Sequence, residues 1–503
     1  MHRSTSDVGA SGGVPSRLGG SLAGLRLILL AVLAVVAGGP GGCAGTAPSL
    51  GGPGEPAGGH PRSGRPNILL VLADDLGVGD VGCYGQQKIR TPSIDRLATE
   101  GVRFSDAYAG SCVCAPTRAS LLTGLHLGHA AIRTNQELQP EGQMPLPAGE
   151  VTIASRLRAA GYATALVGKW GLGPPGSEGS PGRHGFERFY GYLCQRHAHS
   201  HRPDYLYRND QREPLPPGTY APDRFLDEAL AFLRDHGDRP FFLMYATTIP
   251  HAALQVPDDS LDDYRGRFDE TPYDGRQGYV AHPTPRAAYA AMITRMDRDI
   301  GRLLDELERL GVSEDTIVVV ASDNGPTWAG GVDAAFFRST EGRRGLKGQL
   351  YEGGIRVPLV VRWPGHAPAG TTRSTPVALW DLAATFAAAA GVDPGATDGV
   401  DLAAALRGPE GGPERPLYWE YPSEGGWQAL RLGPWKAVRK GIAAHPDAPI
   451  ELYDLVVDPG ETTDVAFSHP LLVEQLGELM RRERRPASVP GWNLPGFQGH
   501  GTP

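Results

Sequence analysis

The sequence predicts an α/β fold: a large, mostly parallel sheet flanked by helices on both faces, followed by a smaller C-terminal antiparallel sheet and helix. Two observations support this fold. Between residues 66 and 411, short apolar segments alternate with amphipathic ones, as expected for buried parallel strands joined by crossover helices. After residue 412 the pattern changes to short strand-like segments, which is typical of an antiparallel sheet.

The predicted strands of the main sheet are uniformly apolar, so helices should cover both faces of that sheet. These strands span 67–73, 163–167, 241–246, 317–321 and 357–362. Apolar residues at helical spacing predict helices over 152–160, 223–233 and 287–310. The C-terminal segments predict strands over 417–421, 427–432, 435–439 and 451–454, and a helix over 471–482.

The N-terminal residues 1–43 predict a signal segment, because Arg17 and Arg26 precede an apolar stretch at 27–37 that is followed by small residues and Cys43. The apolar stretch is short for a membrane span, so we expect export to the periplasm or the extracellular space. Cleavage before Cys43 would leave a cysteine able to carry a lipid anchor, although Pro-Gly-Gly at 40–42 is a poor match to lipoprotein processing.

A Gly- and Pro-rich linker at 44–65, a main domain at 66–411, a C-terminal antiparallel subdomain at 412–490 and a tail at 491–503 complete the predicted organisation. The formal net charge is −8 and no basic run stands out, which argues against a nucleic-acid partner. The four cysteines after Cys43 lack the spacing of a zinc site, and four cysteines allow three disulfide pairings. They are Cys83, Cys112, Cys114 and Cys194.

Acidic and amide side chains follow two of the predicted strands, and ligands of open parallel sheets collect at such carboxyl ends. Asp74 and Asp75 follow the first strand, and Asp323 and Asn324 follow the fourth. Together they form a set of hard oxygen ligands suited to calcium or magnesium rather than zinc. In the alternative interpretation, Asp75 caps a turn and residues 323–325 form an ordinary polar turn.

The segment 114–124 predicts a helix that is entered through Pro116 in its first turn and closed by Gly124. Cys114 then lies at the helix N-terminus, where free backbone N–H groups favour an anion. Arg118, one turn later, can bring its guanidinium group to the same point. Without the rest of the segment, the favoured interpretation would be a buried apolar cysteine at 114 and a surface charge at Arg118.

Cys114-x-Pro116-x-Arg118, with Leu-Thr-Gly at 122–124 behind it, resembles the signature of the sulfatase family, in which a dedicated generating enzyme converts the cysteine to formylglycine. Further segments resemble family blocks in family order, and the resemblance extends from about residue 66 to 480. These segments are 67–75, 91–97, 168–170, 323–325 and 347–358. The resemblance implies the alkaline phosphatase-like fold and hydrolysis of sulfate monoesters, carried by a sulfated carbohydrate or an aryl sulfate.

The resemblance also assigns roles to single residues. It implies that one metal ion, usually calcium in this family, is bound by the side chains of Asp74, Asp75, Asp323, Asn324 and the modified Cys114. Arg118 and Lys169 would hold oxygens of the formylglycine hydrate and of the sulfate group. Lys347 and His251 would contact the bridging oxygen of the ester, and either is a candidate acid for the leaving group.

The sequence departs from the family pattern at one position. Many members have His two residues after the Lys of the Gly-Lys-Trp block, where this chain has Gly171. The supporting role of that histidine is therefore unassigned, and His197 or His199 of the following loop is a candidate. For His199 the alternative is a loop histidine near the substrate with no catalytic role. The loops 171–212 and 252–285 should determine which substrate is accepted.

Formylglycine explains why the nucleophile position holds a cysteine. A serine or cysteine would leave a sulfate ester that is hard to cleave, whereas one hydroxyl of an aldehyde hydrate can attack sulfur and deprotonation of the other then expels sulfate. Two other functions stay open. The chain resembles phosphodiester and phosphonate monoester hydrolases of the same superfamily, and it is also compatible with an inactive exported protein that binds sulfated glycans.

Overall fold

The computed structural model describes residues 64–408 and 414–495. The predicted signal segment, Cys43, linker residues 44–63 and the boundary at 411/412 lie outside these residues, as does the tail beyond residue 495. No helix in the described ranges combines the length and the hydrophobicity needed to cross a bilayer.

The secondary structure alternates strands and helices up to residue 407 and then becomes strand-rich. The strands are β1 (Asn67–Ala73), β2 (Val102–Phe104), β3 (Ala107–Tyr108), β4 (Ala163–Lys169), β5 (Arg188–Tyr192), β6 (Tyr205–Arg208), β7 (Gln211–Pro214), β8 (Phe241–Ala246), β9 (Thr316–Ser322), β10 (Leu359–Arg362), β11 (Thr371–Arg373), β12 (Val377–Ala378), β13 (Leu417–Tyr421), β14 (Trp427–Leu432), β15 (Trp435–Lys440) and β16 (Glu451–Asp454). The helices are α1 (Pro92–Glu100), α2 (Cys114–Thr123), α3 (Ile153–Ala159), α4 (Ala221–His236), α5 (Asp258–Leu261), α6 (Pro285–Arg309), α7 (Ala334–Phe337), α8 (Glu352–Ile355), α9 (Asp381–Ala390), α10 (Ala403–Arg407) and α11 (Pro470–Arg482).

The main sheet has ten strands in the order β11-β2-β10-β9-β1-β8-β4-β5-β6-β7. Its five central strands, β9 to β5 in that order, are parallel. Alternate residues of β1 enter two different cores: Leu69 and Val71 pack with α4 and α6, whereas Ile68 and Leu70 pack with α2, α3 and α9. The prediction of a mostly parallel sheet covered by helices on both faces is confirmed.

One predicted strand differs in direction and in its start. β10 pairs with β9 in the antiparallel sense, because the chain leaves β9 at the carboxyl end of the central strands and enters β10 from that same end. Uniformly apolar residues indicate burial on both faces but do not indicate direction. The strand begins at Leu359 rather than residue 357, and the preceding Pro358 has no N–H group to donate to a neighbouring strand.

The C-terminal sheet has the antiparallel order β13-β14-β15-β16, as predicted. One face packs against α11 through Leu476 and Met480. The other face packs on the main domain, where Trp419 contacts Tyr108 and Trp380. The small sheet is therefore buried on both sides.

A buried ion cluster links this sheet to the main domain. Lys436 of β15 is fully buried, and its Nζ lies 2.9 Å from a carboxylate oxygen of Glu352 in α8 and 2.9 Å from one of Glu461. Arg356 Nη1 also contacts Glu352, at 3.0 Å. Glu352 lies five residues after Lys347, so this ion cluster fixes the segment that carries the candidate site residue Lys347.

We expect Lys436→Met to lower the free energy of unfolding by about 3 kcal/mol or more, because two buried carboxylates would lose their shared cation. Urea unfolding followed by circular dichroism measures the change. Lys440→Met is the matched control on the same strand, since Lys440 is half-exposed and pairs with Glu451 at the surface; its cost should stay below about 1 kcal/mol. Equal costs for the two variants would contradict the prediction.

Candidate active site

The carboxyl ends of β1 and β9 bring the predicted acidic residues together. The two strands pair in register up to Ala73 and Ser322, and the N–H of Asp323 donates to the carbonyl of Ala73 at 3.0 Å. The N–H of Asp75 donates to Asp323 Oδ1 at 3.2 Å. Asp74, Asp75 and Asp323 are all buried. The structure therefore places both acidic pairs in one buried cluster.

Asp75 turns sharply back toward this cluster. Its φ is +66°, in the left-handed region that residues other than Gly seldom adopt. Its carboxylate accepts hydrogen bonds from Lys347 Nζ at 2.9 Å and from Asn324 Nδ2 at 2.7 Å. In the turn that follows, the N–H of Gly77 is bound by Asp80 instead. The interpretation of Asp75 as a turn cap is therefore wrong.

Two lysines, together with Arg118, balance the charge of the buried carboxylates. Lys169 Nζ lies 2.5 Å from Asp74 Oδ2. Lys347 Nζ lies 2.7 Å from Asp75 Oδ1. Burial opposes the charge of both ammonium groups, but the neighbouring carboxylates prevail and raise the pKa of Lys169 and of Lys347. Both lysines are therefore positively charged at neutral pH.

Arg118 is fixed from two sides. Its Nη2 and Nε donate to Asp323 Oδ2 at 2.7 and 3.1 Å, and its Nη1 donates to the carbonyl of Lys169 at 2.6 Å. Its side chain is 1% exposed, so this is not the surface charge of the alternative interpretation. The geometry holds the guanidinium group in a single position beside the carboxylate cluster.

Cys114 is the first residue of α2, and the helix ends at Gly124 with φ +74°, as the sequence predicts. Its Sγ lies 3.4 Å from Asp74 Oδ1. Burial and the charge of Asp74 raise the pKa of the Cys114 thiol to about 12. Because the thiolate is the nucleophilic form, the unmodified side chain is a poor nucleophile at neutral pH. Cys83, Cys112, Cys114 and Cys194 are all free thiols, so none of the three disulfide pairings forms.

An unpaired oxygen marks where a cation fits. Asn324 Nδ2 donates to Asp75 and to the carbonyl of Gly325, which leaves its buried Oδ1 without a hydrogen-bond partner among the described residues. Such an orphaned group costs about 1 to 3 kcal/mol. Ligand atoms of Asp74, Asp75, Cys114 and His251 all lie within 4.8 Å of one another. The carboxylate oxygens of Asp74 and Asp75 and the unpaired Asn324 Oδ1 are hard donors of the kind that calcium and magnesium prefer.

His251 borders the Asp75 side of this cluster. Its Nδ1 donates to the carbonyl of Ala252, and its Nε2 lies 3.6 Å from Asp75 Oδ2. Burial and the charge of Lys347 lower the pKa of His251 well below its usual range. The ring is therefore neutral, and its Nε2 presents a lone pair.

Of the two candidate histidines, His197 and His199, only His199 reaches the site. Its ring stacks on the ring of His251 with centroids 5.0 Å apart, and burial together with His251 lowers its pKa to about 2. His197 instead packs on Tyr205, with centroids 4.3 Å apart, and lies 3.5 Å from Glu141. Local sequence does not separate the two, because they are only two residues apart in one short 3₁₀ helix.

The match to known proteins decides the family. Residues 66–392 match the family model described as Sulfatase. The chain belongs to the sulfatase family. Human arylsulfatase A is 34% identical over 478 residues, covering 82% of this chain and 87% of that protein. An N-acetylgalactosamine-6-O-sulfatase from Bacteroides thetaiotaomicron is 27% identical over 508 residues, covering 83% and 93%.

A solved structure extends the similarity to the fold. The crystal structure of Ps i-CgsB in complex with k-i-k-neocarrahexaose superposes with a TM-score of 0.72 at 28% identity, covering 86% of this chain and 96% of that chain. The resemblance seen in the sequence is thus confirmed. This sulfatase is a sulfuric ester hydrolase, and its substrate is a sulfate ester.

Two residues of the sulfatase site were missed from the sequence. His201 is fully buried, and its ring bridges Thr248 Oγ1 and the carbonyl of His251, both at 3.0 Å. Tyr279 lies beside His199 with ring centroids 5.1 Å apart. Both residues belong to the loops expected to select the substrate, but nothing in the local sequence distinguishes them from solvated positions.

Asn324→Leu should weaken calcium binding by about 10- to 100-fold or more, since the variant keeps the size of the side chain but removes the unpaired oxygen. Calorimetric titration of the metal-free protein with calcium measures the affinity. Asn493→Leu removes an amide whose bonds are to Ala487 and Pro490 near the C-terminus and should leave the affinity unchanged. Unaltered affinity in Asn324→Leu would contradict the site.

Proposed function

We propose that this sulfatase hydrolyses sulfate monoesters of carbohydrates through a formylglycine made from Cys114, with one calcium ion bound at residue 114 and at Asp74, Asp75, Asp323 and Asn324. The observation that carries the proposal is the position of Cys114, at a helix N-terminus and 3.4 Å from Asp74. The unpaired Asn324 Oδ1 supports the metal. The names of the Bacteroides relative and of the oligosaccharide complex support a carbohydrate rather than a simple aryl substrate.

Formylglycine at position 114 would supply the nucleophile, and calcium would add positive charge. The hydrate of formylglycine would offer one hydroxyl for attack on sulfur and a second whose deprotonation would release sulfate. Calcium, held by Asp74, Asp75, Asp323 and Asn324, would add positive charge beside the oxygens of the sulfate group. Cys114 already lies against the proposed metal ligands, so its conversion would bring oxygen donors into an oxygen-rich site.

The cationic and histidine side chains lie on two sides of the carboxylate cluster. Lys169 and Arg118 contact Asp74 and Asp323 on the Cys114 side. Lys347 and His251 contact Asp75 on the other. Positive charge on both sides can hold the peripheral sulfate oxygens and orient the ester for in-line attack. His199 would act on His251, whose ring orientation it supports by stacking.

We assign protonation of the leaving oxygen to Lys347. Its ammonium group, which pairs with Asp75, has protons to donate. The Nε2 atom of the neutral His251 has only a lone pair. A sugar alkoxide needs a proton more than a nitrophenolate does, because it is the poorer leaving group. The lysine should therefore matter most for carbohydrate sulfates.

Cys114→Ala should lower turnover of sulfate esters by at least about 10⁴-fold, since no other side chain can supply the two hydroxyls. Mass spectrometry of the peptide containing residue 114 should show the aldehyde in the parent protein. Cys112→Ala is the matched control, because Cys112 is also buried and free but lies outside the signature; its activity should persist. An unmodified thiol in the parent would favour a glycan-binding protein, and faster turnover of phosphodiesters would favour the phosphohydrolase alternative.

Lys347→Ala should reduce hydrolysis of a sugar sulfate about 10²- to 10⁴-fold but that of nitrophenyl sulfate much less, because the nitrophenolate leaves without a proton. The measurement is kcat/KM for both substrates. Lys169→Ala should lower both values by similar factors, since this residue lies on the Cys114 side of the site. Equal losses in Lys347→Ala would remove the lysine as the acid.

We also propose that the chain is exported and processed near residue 43. The support is the charged, apolar and small-residue order of the N-terminal sequence. Mass spectrometry of the mature N-terminus tests this proposal: a lipid on Cys43 identifies an anchored protein, an unlipidated processed N-terminus a secreted one, and an uncleaved N-terminus would contradict export by this segment.

A further inference from the structure

The space beside Gly171 is occupied by another residue. Gly171 lies two residues after Lys169 and has φ +76°, a conformation that favours glycine. A Cβ atom added there would lie 2.5 Å from Nε2 of Gln195 and 3.2 Å from its Cδ. The Gln195 amide therefore fills the volume that a side chain at position 171 would need.

Gly171 and Gln195 both follow strands that end on the side of the sheet where the active site lies. β4 and β5 are parallel, and Lys169 pairs with Tyr192 at their carboxyl ends. Gly171 follows Lys169 by two residues, and Gln195 follows Tyr192 by three. Lys169 holds Asp74 at this edge through its ammonium group. The Gln195 amide is thus close to the end of the strand that carries a residue of the sulfate-binding side.

The other end of the same segment also borders the site. The carbonyl of His199 accepts the N–H of Ala253 at 3.1 Å, and the His199 ring stacks on His251. The segment from Gln195 to His199 therefore runs from the residue beside Gly171 to the histidine that stacks on His251.

Gln195 Nε2 is a hydrogen-bond donor that is not yet engaged. The residue is 7% exposed, and its Nε2 is buried without a hydrogen-bond partner in the part of the chain that the structure describes. Arg118, Lys169 and Lys347, by contrast, are bound to carboxylates. A buried amide N–H without a partner is unfavourable, so binding an acceptor at this point would be favoured.

We propose that Gln195 Nε2 contacts the substrate and donates a hydrogen bond to an oxygen of its sulfate group. The inference rests on the proposed function. A neutral amide suits this position because three cations already surround the cluster, and a further charge would have to be desolvated without a counterion. Gly171 is then required because any larger residue displaces the amide.

Gln195→Met tests the donor, since methionine has a similar length but no N–H group. We expect kcat/KM for a sulfate ester to fall about 10- to 100-fold, and the inhibition constant of inorganic sulfate to rise by a similar factor. The formylglycine content and the thermal unfolding midpoint should remain those of the parent enzyme. Arg196→Met is the matched control, because Arg196 is exposed and pairs with Glu137; its kinetics should not change.

Gly171→Ala provides a second test that leaves Gln195 in place. The new Cβ must displace the amide, so kcat/KM should fall to a similar extent. The double variant Gln195→Met/Gly171→Ala should be no worse than either single variant, because one hydrogen bond can be lost only once. Multiplicative losses would show that the two positions act independently and would overturn the coupling.

The outcomes separate this inference from the proposed function. A parent protein without formylglycine or without turnover would contradict the function itself. An active parent, together with Gln195→Met that stays within about twofold in kcat/KM and in sulfate inhibition, would overturn the role of Gln195 alone. A loss in Arg196→Met as large as that in Gln195→Met would also overturn it, because the effect would then come from the loop as a whole.

Discussion

The buried negative charge at the ends of β1 and β9 is the constraint on which the rest of the site depends. Asp74, Asp75 and Asp323 are almost without solvent, and the N–H of Asp75 donates to the carboxylate of Asp323. Carboxylates in such an environment are tolerated only when cations and hydrogen-bond donors compensate them. Arg118, Lys169 and Lys347 provide that compensation from three separate segments of the chain. The cluster therefore joins distant parts of the sequence.

The C-terminal sheet takes part in this arrangement although it contributes no side chain to the cluster. Lys436 of β15 holds Glu352 in a fully buried ion pair, and Glu352 follows closely on Lys347 in the sequence. The N–H of Lys347 itself donates to the carbonyl of Pro326, at 3.0 Å, beyond the acidic turn of β9. Lys347 is therefore held both by the segment that follows β9 and, through Glu352, by the second sheet.

Neutral polar groups have a different part in this sulfatase site. Asn324 Oδ1 and Gln195 Nε2 are buried and lack partners in the described ranges, an acceptor in one case and a donor in the other. The acceptor suits a cation and the donor suits an anion, as the proposed metal ion and sulfate group require. Such groups cost stability in the free protein, and this cost is characteristic of sites that bind a charged ligand.

The sequence alone determined the elements and motifs whose signal is local. β1 and β8 have the predicted bounds, because runs of apolar residues indicate buried strands, and α2 begins at Cys114 as predicted from its proline and glycine. Only the tertiary structure decided three other features. These are the direction of β10, the placement of His199 rather than His197 in the site, and the proximity of Gln195 to Gly171. Each depends on how segments distant in the sequence pack together, and such packing leaves no periodic pattern in either segment.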